Sequence, residues 1–387
     1  MRGWVILAAI SLARIGFGYQ FQSVASLGPD LMARFHLDYA GLGSLIGAYM
    51  AAGIVTALPL GLAARRFGDR LVLGGGLALM AAGGLLAPLA GGPEGIAIGR
   101  LIAGVGAVAM TVLQSKVIAD WFPGTRLMLP LSISVGAYPV GIGLAQIIAP
   151  PVAAALGWQS ALLIGGAEMA AVTVLFLAAY RLAPGTETVR RSFSLPGRRE
   201  CWLLIVAGLI WTAYTAAYSG YLSYTPSLMA VRGEGLVLTG VTMAFATWGN
   251  VLGTLIGGAM AARFGPGPAF FVGTSVMTIA ILGMGMVDLP LTWAALLGIP
   301  GSIQSGVIVA IGTLSARPHS RAAGMGVFYT VYYLGGAMIP ALCGRAADFA
   351  GAPSGAMYAA GLVSALAFPA YFLHRHLAAG ETVLARA

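Results

Sequence analysis

The stretch Trp4–Met32, WVILAAISLARIGFGYQFQSVASLGPDLM, is long and apolar enough to cross a bilayer as a helix, yet it carries an arginine near its middle. Arg14 lies ten residues beyond Trp4, about 15 Å along a helix that needs about 30 Å to span the hydrocarbon. A guanidinium at that depth costs about 2.5–3.5 kcal/mol on insertion scales, so it is expected to face protein, water or an anion and not lipid. Phe17, Gly18, Phe21, Gln22 and Ala25 share its helical face. Small gaps, an amide and aromatic edges together read as the wall of a cavity.

Working outward, the whole chain has this character. Of 387 residues 59% are hydrophobic and 9% charged, where soluble domains carry about 25% charged residues. Apolar runs of membrane length recur at about 4–28, 41–63, 71–91, 95–118, 128–153, 159–180, 202–226, 237–262, 269–287, 290–314, 322–343 and 354–373. The expected fold class is therefore an all-α membrane protein of twelve spans, with loops too short for a separate domain.

A net charge of +9 would point to nucleic acid in a soluble protein, but here the arginines sort by side. Arg2, Arg65, Arg66, Arg70, Arg126, Arg190, Arg198 and Arg263 fall on the side of the termini, against Arg34, Arg232 and Arg345 on the other. The positive-inside rule then places both termini in the cytoplasm. A signal peptide is the rival reading of the first run, with Arg2 ahead of it and Ser11-Leu12-Ala13 as a cleavage-like site. Apolar sequence resumes after Arg14, and the repeat described next needs this helix. Cys201 and Cys343 are placed at a boundary and within a span, which suits neither a disulfide nor a metal site.

A shift of 197 residues lays SLGPDLMA (Ser26–Ala33) on SYTPSLMA (Ser223–Ala230), and in the same register GLAARRFG on GAMAARFG, with Gly61, Arg66 and Gly68 falling on Gly258, Arg263 and Gly265. Two distant matches in one register imply two six-helix halves related by a pseudo-two-fold axis along the membrane normal. The expected division is 1–180, a polar cytoplasmic linker 181–201 punctuated by Pro184, Gly185, Pro196 and Gly197, and 202–387. Parallel halves around a midplane site are the plan of a rocking transporter.

At GLAARRFGDR the chain resembles the loop between helices 2 and 3 of the major facilitator superfamily, G-x-x-x-D-R-x-G-R-R, matched by Gly61, Arg66, Gly68 and Arg70. Arg65 replaces the aspartate that helps latch the family's outward-facing state, and Asp69 replaces a basic residue, so the usual gate contact is in doubt and a swapped pairing through Asp69 is open. Arg100-Leu-Ile-Ala-Gly104-Val-Gly106 is similar to the family's R-x-x-x-G-x-G in helix 4. The antiporter-associated pattern of helix 5 is eroded, with Ala149 before Pro150. Within the superfamily the chain resembles cyanate and nitrate-type permeases and organic-anion permeases with an arginine in helix 1.

Arg14 has no copy in the second half, where the shift places Trp211. It is read either as the anion-binding residue or as a structural partner of Glu168, a backbone carbonyl or a helix end. Arg100 and Glu168 are coupling or structural charges; the family's helix 6 is peripheral, which favours a structural Glu168. Tyr214 and Tyr218, on one face with Trp211 and Tyr221, and Tyr329, beside Tyr332 and Tyr333, are candidate substrate contacts, since phenols can donate to an anion; plain packing is the alternative. Gln22, Gln114, Gln304, Ser305 and Asn250 are polar groups at membrane depth that can complete the site. Lys116 and Asp120 read as a surface pair one turn apart. Gly104, Gly106, Gly301 and Gly306 read as packing positions, and His36, His319, His374 and His376 as loop or tail residues.

No cofactor, metal site, Walker loop or nucleic-acid surface is expected, nor an enzyme. The expected function is secondary transport of a small anion, a monocarboxylate or an inorganic ion, by alternating access, proton-coupled or exchange-driven, with uptake favoured and a monomer as the unit. The alternatives are a multidrug or metabolite efflux antiporter of the same fold, and a sensor that keeps the fold without transport.

Overall fold

A computed structural model describes residues 2–122, 128–180, 196–317 and 320–384. The first half comprises α1 (Arg2–Ser26), the short α2 (Gly28–Phe35), α3 (Tyr39–Phe67), α4 (Asp69–Leu89), α5 (Pro93–Trp121), α6 (Met128–Leu156) and α7 (Trp158–Ala179). The second comprises α8 (Arg198–Val231), α9 (Leu236–Phe264), α10 (Pro266–Met286), α11 (Pro290–Gly298), α12 (Ser305–Leu314), α13 (Arg321–Ala350), α14 (Ser354–Ala365) and α15 (Ala367–Leu384). Counting α11 with α12 and α14 with α15 as single spans, twelve are long and apolar enough to cross a membrane. Large apolar side chains lie bare along them, such as Val174, Leu255 and Leu362, each about two-thirds exposed or more. Water would penalise that surface and lipid does not.

The repeat is visible in the helix ends. The same 197-residue shift carries both ends of α3 onto those of α9 and both ends of α4 onto those of α10. The joints correspond as well. Gly68, between α3 and α4, has φ of 84°, and Gly265, between α9 and α10, has φ of 85°, a conformation that any side chain with a Cβ resists. The paired glycines of the two motif copies are thus required by the sharp turn on the face of the termini.

Three elements depart from the expected runs. α8 begins at Arg198, inside the expected linker, and its 34 residues extend about 51 Å. The run 290–314 is interrupted: α11 ends at Gly298, a 3-10 turn covers Pro300–Ser302, and α12 starts at Ser305. Pro300 cannot donate to the helical ladder, so the break falls there. His374, expected in the tail, lies within α15 with its Nε2 2.8 Å from Ser315 Oγ. Arg126, Arg190, His319 and most of the linker lie outside the described residues.

The halves meet toward the face opposite the termini. α3 packs on α13 so closely that a Cβ on Gly43 would stand 2.3 Å from Pro340 O and one on Gly47 2.1 Å from Ala337 O. At the outer end of this seam the Asp348 carboxylate accepts from Tyr39 N and Ala40 N, both at 2.9 Å. Beside it, the Tyr224 hydroxyl lies 3.0 Å from Tyr39 O and 2.6 Å from Pro340 O. α6 meets α9 through Thr247, whose hydroxyl donates to Gln146 Oε1 at 3.1 Å. Within the first half, Gly104 and Gly106 do permit close packing, on Tyr49 O and Gly76 O, whereas Gly306 has only Thr254 near it, at 3.8 Å.

Candidate functional site

Arg14 is residue 13 of the 25 in α1, and it is 8% exposed. Its guanidinium carbon stands 5.0 Å from the Tyr138 ring centroid and 5.7 Å from that of Phe17, within cation–π range. Tyr138 belongs to α6. From the other half, Tyr329, Tyr332 and Tyr333 of α13 are close enough to act on its charge. Among the described residues it makes no ion pair, and its Nε is buried without an acceptor. The cage is therefore aromatic and hydroxyl-bearing, and it supplies no counter-charge. A fixed cation in such surroundings favours an anion that can be brought to it.

Of the alternatives for Arg14, the Glu168 partnership is not formed. Glu168 in α7 sits behind α1 at Gly16, where an added Cβ would collide with its Oε2. That position is two residues from Arg14 and on another side of the helix. Both carboxyl oxygens of Glu168 are buried without a partner.

Arg100 is committed to the backbone. Its Nη1 donates to Gln20 O at 3.0 Å, and Nη2 lies 3.2 Å from both Phe21 O and Ile46 O, with the Tyr49 ring 4.9 Å away. It ties α5 to α1 and α3, and lines a small polar void of about 20 Å³ with Gln20, Ser23 and Tyr49. That is room for about one water. It holds α1, and with it Arg14, in place.

The polar residues expected to complete the site divide. Gln22 is fully buried and donates across the seam to Leu222 O at 3.3 Å. Gln114 accepts from Ser134 Oγ at 3.2 Å, inside the first half. Gln304 turns toward Met277 and Gly301 O. None of the three is brought to Arg14. Tyr218 donates to Ala246 O at 3.1 Å and stacks on Tyr214 with centroids 6.3 Å apart. Tyr214, Asn250 and Ser305 do come together, at the α11–α12 break. Asn250 Nδ2 donates to Tyr214 OH at 2.7 Å and to Ser302 Oγ at 2.8 Å, while Ser305 Oγ and Thr254 Oγ1 are 2.7 Å apart. Rings join this group to the cage: Trp211 is 5.4 Å from Tyr214 and 6.4 Å from Tyr332, which is itself 6.3 Å from Tyr329.

At the motif loop Asp69 is buried and pairs with Lys116 of α5, which also reaches Asp120 at 3.4 Å. The expected Lys116–Asp120 surface pair is thus a three-residue group, and Asp69 finds its partner within its own half. Arg70 Nη2 donates to Leu177 O at 3.0 Å. Gly61, Arg65 and Arg66 lie on the last turns of α3, and Gly68 at the joint.

Sequence reasoning missed Tyr138, Ser302 and Asp348. A lone tyrosine in SVGAYPVGIG gives no periodic signal, and Ser302 was readable only as part of Pro300-Gly301-Ser302 had that triplet been taken as a break. Asp348, at a helix end, carries no local sign of a partner 309 residues away.

Among the described residues, twelve candidate spans in two pseudo-symmetric halves surround a mid-span guanidinium that makes no ion pair, the architecture of a polytopic membrane protein. The chain belongs to the Major Facilitator Superfamily, whose model matches residues 10–340. It is similar to the gallate transporter of Pseudomonas putida, 28% identical over 210 residues, 50% of this chain and 45% of that one. It is also similar to the hexuronate transporter of Escherichia coli (strain K12), 29% identical over 169 residues, 42% of this chain and 38% of that one. The match spans less than half the length of either relative. A longer match, 24% identical over 356 residues, is to the 4-hydroxybenzoate transporter PcaK of Pseudomonas aeruginosa, covering 81% of this chain and 76% of that one. Among solved structures, an inward-facing, occupied bacterial homolog of the human lysosomal transporter Spinster superposes with TM-score 0.78 at 17% identity, covering 96% of each chain. The inward-open xylose transporter XylE of E. coli also gives 0.78, at 15% identity, covering 95% of this chain and 96% of that one. These likenesses show the fold.

Proposed function

We propose that the protein is a secondary transporter of a small organic monoanion, working by alternating access in a bacterial cytoplasmic membrane with both termini inside. The observation that carries this reading is Arg14: a mid-span guanidinium with no ion pair among the described residues, caged by tyrosines of both halves. An anion placed there neutralises a charge that is costly in a dry site, and it touches both halves at once. Binding then favours a state in which they close on it. The relatives' substrates, gallate, hexuronate and 4-hydroxybenzoate, are organic acids and support the organic over the inorganic choice. With the termini inside, a seam closed on the opposite face is an inward-facing arrangement, as in the solved structures it superposes on.

Uptake driven by protons or by exchange is the energy source this reading uses. The efflux alternative calls for a carboxyl beside the substrate, and Glu168 stands behind α1 at Gly16. The test is uptake of labelled monocarboxylates into proteoliposomes, paired with ligand-induced thermal stabilisation of the purified protein. At least one aromatic or sugar-derived monocarboxylate is expected to be carried by the wild type. Arg14→Gln is expected to lose uptake and stabilisation by tenfold or more, with Arg14→Lys retaining part of both. An Arg14→Gln variant that transports normally would reduce the arginine to packing and remove the basis of the reading.

A further inference from the structure

We propose that the polar group at the α11–α12 break, centred on Asn250, is a neutral subsite that accepts a hydrogen bond from a hydroxyl of the transported acid, at the end remote from its carboxylate. The inference rests on the transport reading above and adds which residues of the second half select the substrate, and for what.

The argument is an accounting of protons. Ser302 Oγ donates to Leu297 O at 3.1 Å, so toward Asn250 it can only accept. The Asn250 amide must then present Nδ2 to Ser302, as it does at 2.8 Å, and the same Nδ2 donates to Tyr214 OH at 2.7 Å. Both amide protons are thereby committed. Thr254 Oγ1 donates to Asn250 O at 2.8 Å, which leaves Ser305 to donate in the 2.7 Å Thr254–Ser305 contact. What remains are the Tyr214 O–H proton and Asn250 Oδ1, an acceptor with two lone pairs and no donor among the described residues, on a half-buried side chain.

This arrangement is selective. A second carboxylate brings no proton for Asn250 Oδ1 and finds no free amide proton and no cation here, since α11 and α12 carry no charged residue and those of α8 and α9 lie at the helix ends. A hydroxyl brings the proton that Asn250 Oδ1 lacks. A bare C–H edge packed over that acceptor leaves it unpaired in the complex, which is where polar sites discriminate most sharply. Between the two ends lie ring faces, from Tyr332 beside Arg14 through Trp211 to Tyr214. Their stacking suits a flat substrate. The favoured ligand is an aromatic monocarboxylate with a ring hydroxyl; the corresponding dicarboxylate is rejected.

The probes are benzoate, 4-hydroxybenzoate and terephthalate, with affinity measured on the purified full chain by calorimetry. The wild type is expected to bind 4-hydroxybenzoate about tenfold or more tighter than benzoate, the worth of one well-placed hydrogen bond at an otherwise unpaired site, with terephthalate weakest. Asn250→Leu is expected to bring the two monoacids within about twofold of each other, mainly by weakening the hydroxy acid. Ser302→Ala, which frees the amide to rotate, is expected to move the ratio the same way and serves where Asn250→Leu fails to fold. Arg14→Gln is expected to abolish binding of all three. Equal wild-type affinities for the two monoacids, or a preference unchanged in both Asn250→Leu and Ser302→Ala, overturn the subsite. If Arg14→Gln binds normally while Asn250→Leu still erases the preference, the subsite stands and the arginine-centred reading fails.

Discussion

Glu168 and Arg14 are two ionisable side chains near the middle of their spans with opposite surroundings. Arg14 makes no ion pair among the described residues but has rings and hydroxyls around it. Glu168 has both oxygens buried with no donor among the described residues, and ionising such a group is costly until water or a cation reaches it. A carboxyl packed against α1 at Gly16 feels any rotation of the helix that carries Arg14, and within the transport reading a coupling role for it is a testable proposal. Glu168→Gln preserves shape and removes the proton. It is expected to retain anion binding and counterflow exchange, and to lose at least tenfold of the accumulation driven by an inward proton gradient. Proteoliposomes assayed with and without the gradient read this directly; unchanged accumulation assigns Glu168 to packing. Arg14 was legible because a charge interrupts an apolar run. Of its neighbours, Phe17 and the tyrosines of α13 were named from the sequence and Tyr138 was not; Gln22 and Gln304 are instead spent on Leu222 O, Met277 and Gly301 O, partners that only the assembled fold brings near.

At the scale of elements, the N-terminus of α3 shows how the halves are held. Its first four amides all have partners, but two of these come from the other half: Asp348 takes Tyr39 N and Ala40 N, while Asp38 takes Gly41 N through its carboxylate and Leu42 N through its carbonyl. An aspartate in this position is also favoured by the helix dipole. Separation of the halves on this face returns Tyr39 and Ala40 to water. Asp348→Ala is expected to remove about 1 kcal/mol from the closed arrangement, and so to shift the inward-to-outward equilibrium about fivefold toward outward. Hydrogen exchange at the amides of Tyr39 and Ala40, and maleimide labelling of a cysteine at Pro340, are expected to rise. Unchanged exchange and labelling would place the latch elsewhere on the seam. The spans were readable at this scale, with the runs 41–63, 71–91, 237–262 and 269–287 lying within four residues of the ends of α3, α4, α9 and α10. The break at Pro300 was not, because Pro-Gly-Ser is short, and the apolar sequence on both sides of it reads through as one span.

Across the whole molecule, alternating access requires that the α3–α13 seam be tight enough to close and weak enough to open. Small residues meet that demand: Gly43 and Gly47 bring backbone to backbone, where closure draws on dispersion and a few hydrogen bonds. Gly47→Leu cannot be accommodated at 2.1 Å from Ala337 O without the helices moving apart. The wedge lies on the face opposite the termini, while Arg14 and its cage lie at mid-depth, so the two properties should separate. Gly47→Leu is expected to bind the substrate anion within about threefold of wild type, yet to lose tenfold or more of transport, because one of the two end states no longer seals. Fluorescence distances between probes at the outer ends of α3 and α13 are expected to lengthen in the same variant. If transport survives with the longer distance, complete closure on this face is not part of the cycle. If binding falls with transport, the seam and the Arg14 site form one packed unit and rocking about the midplane is the wrong motion.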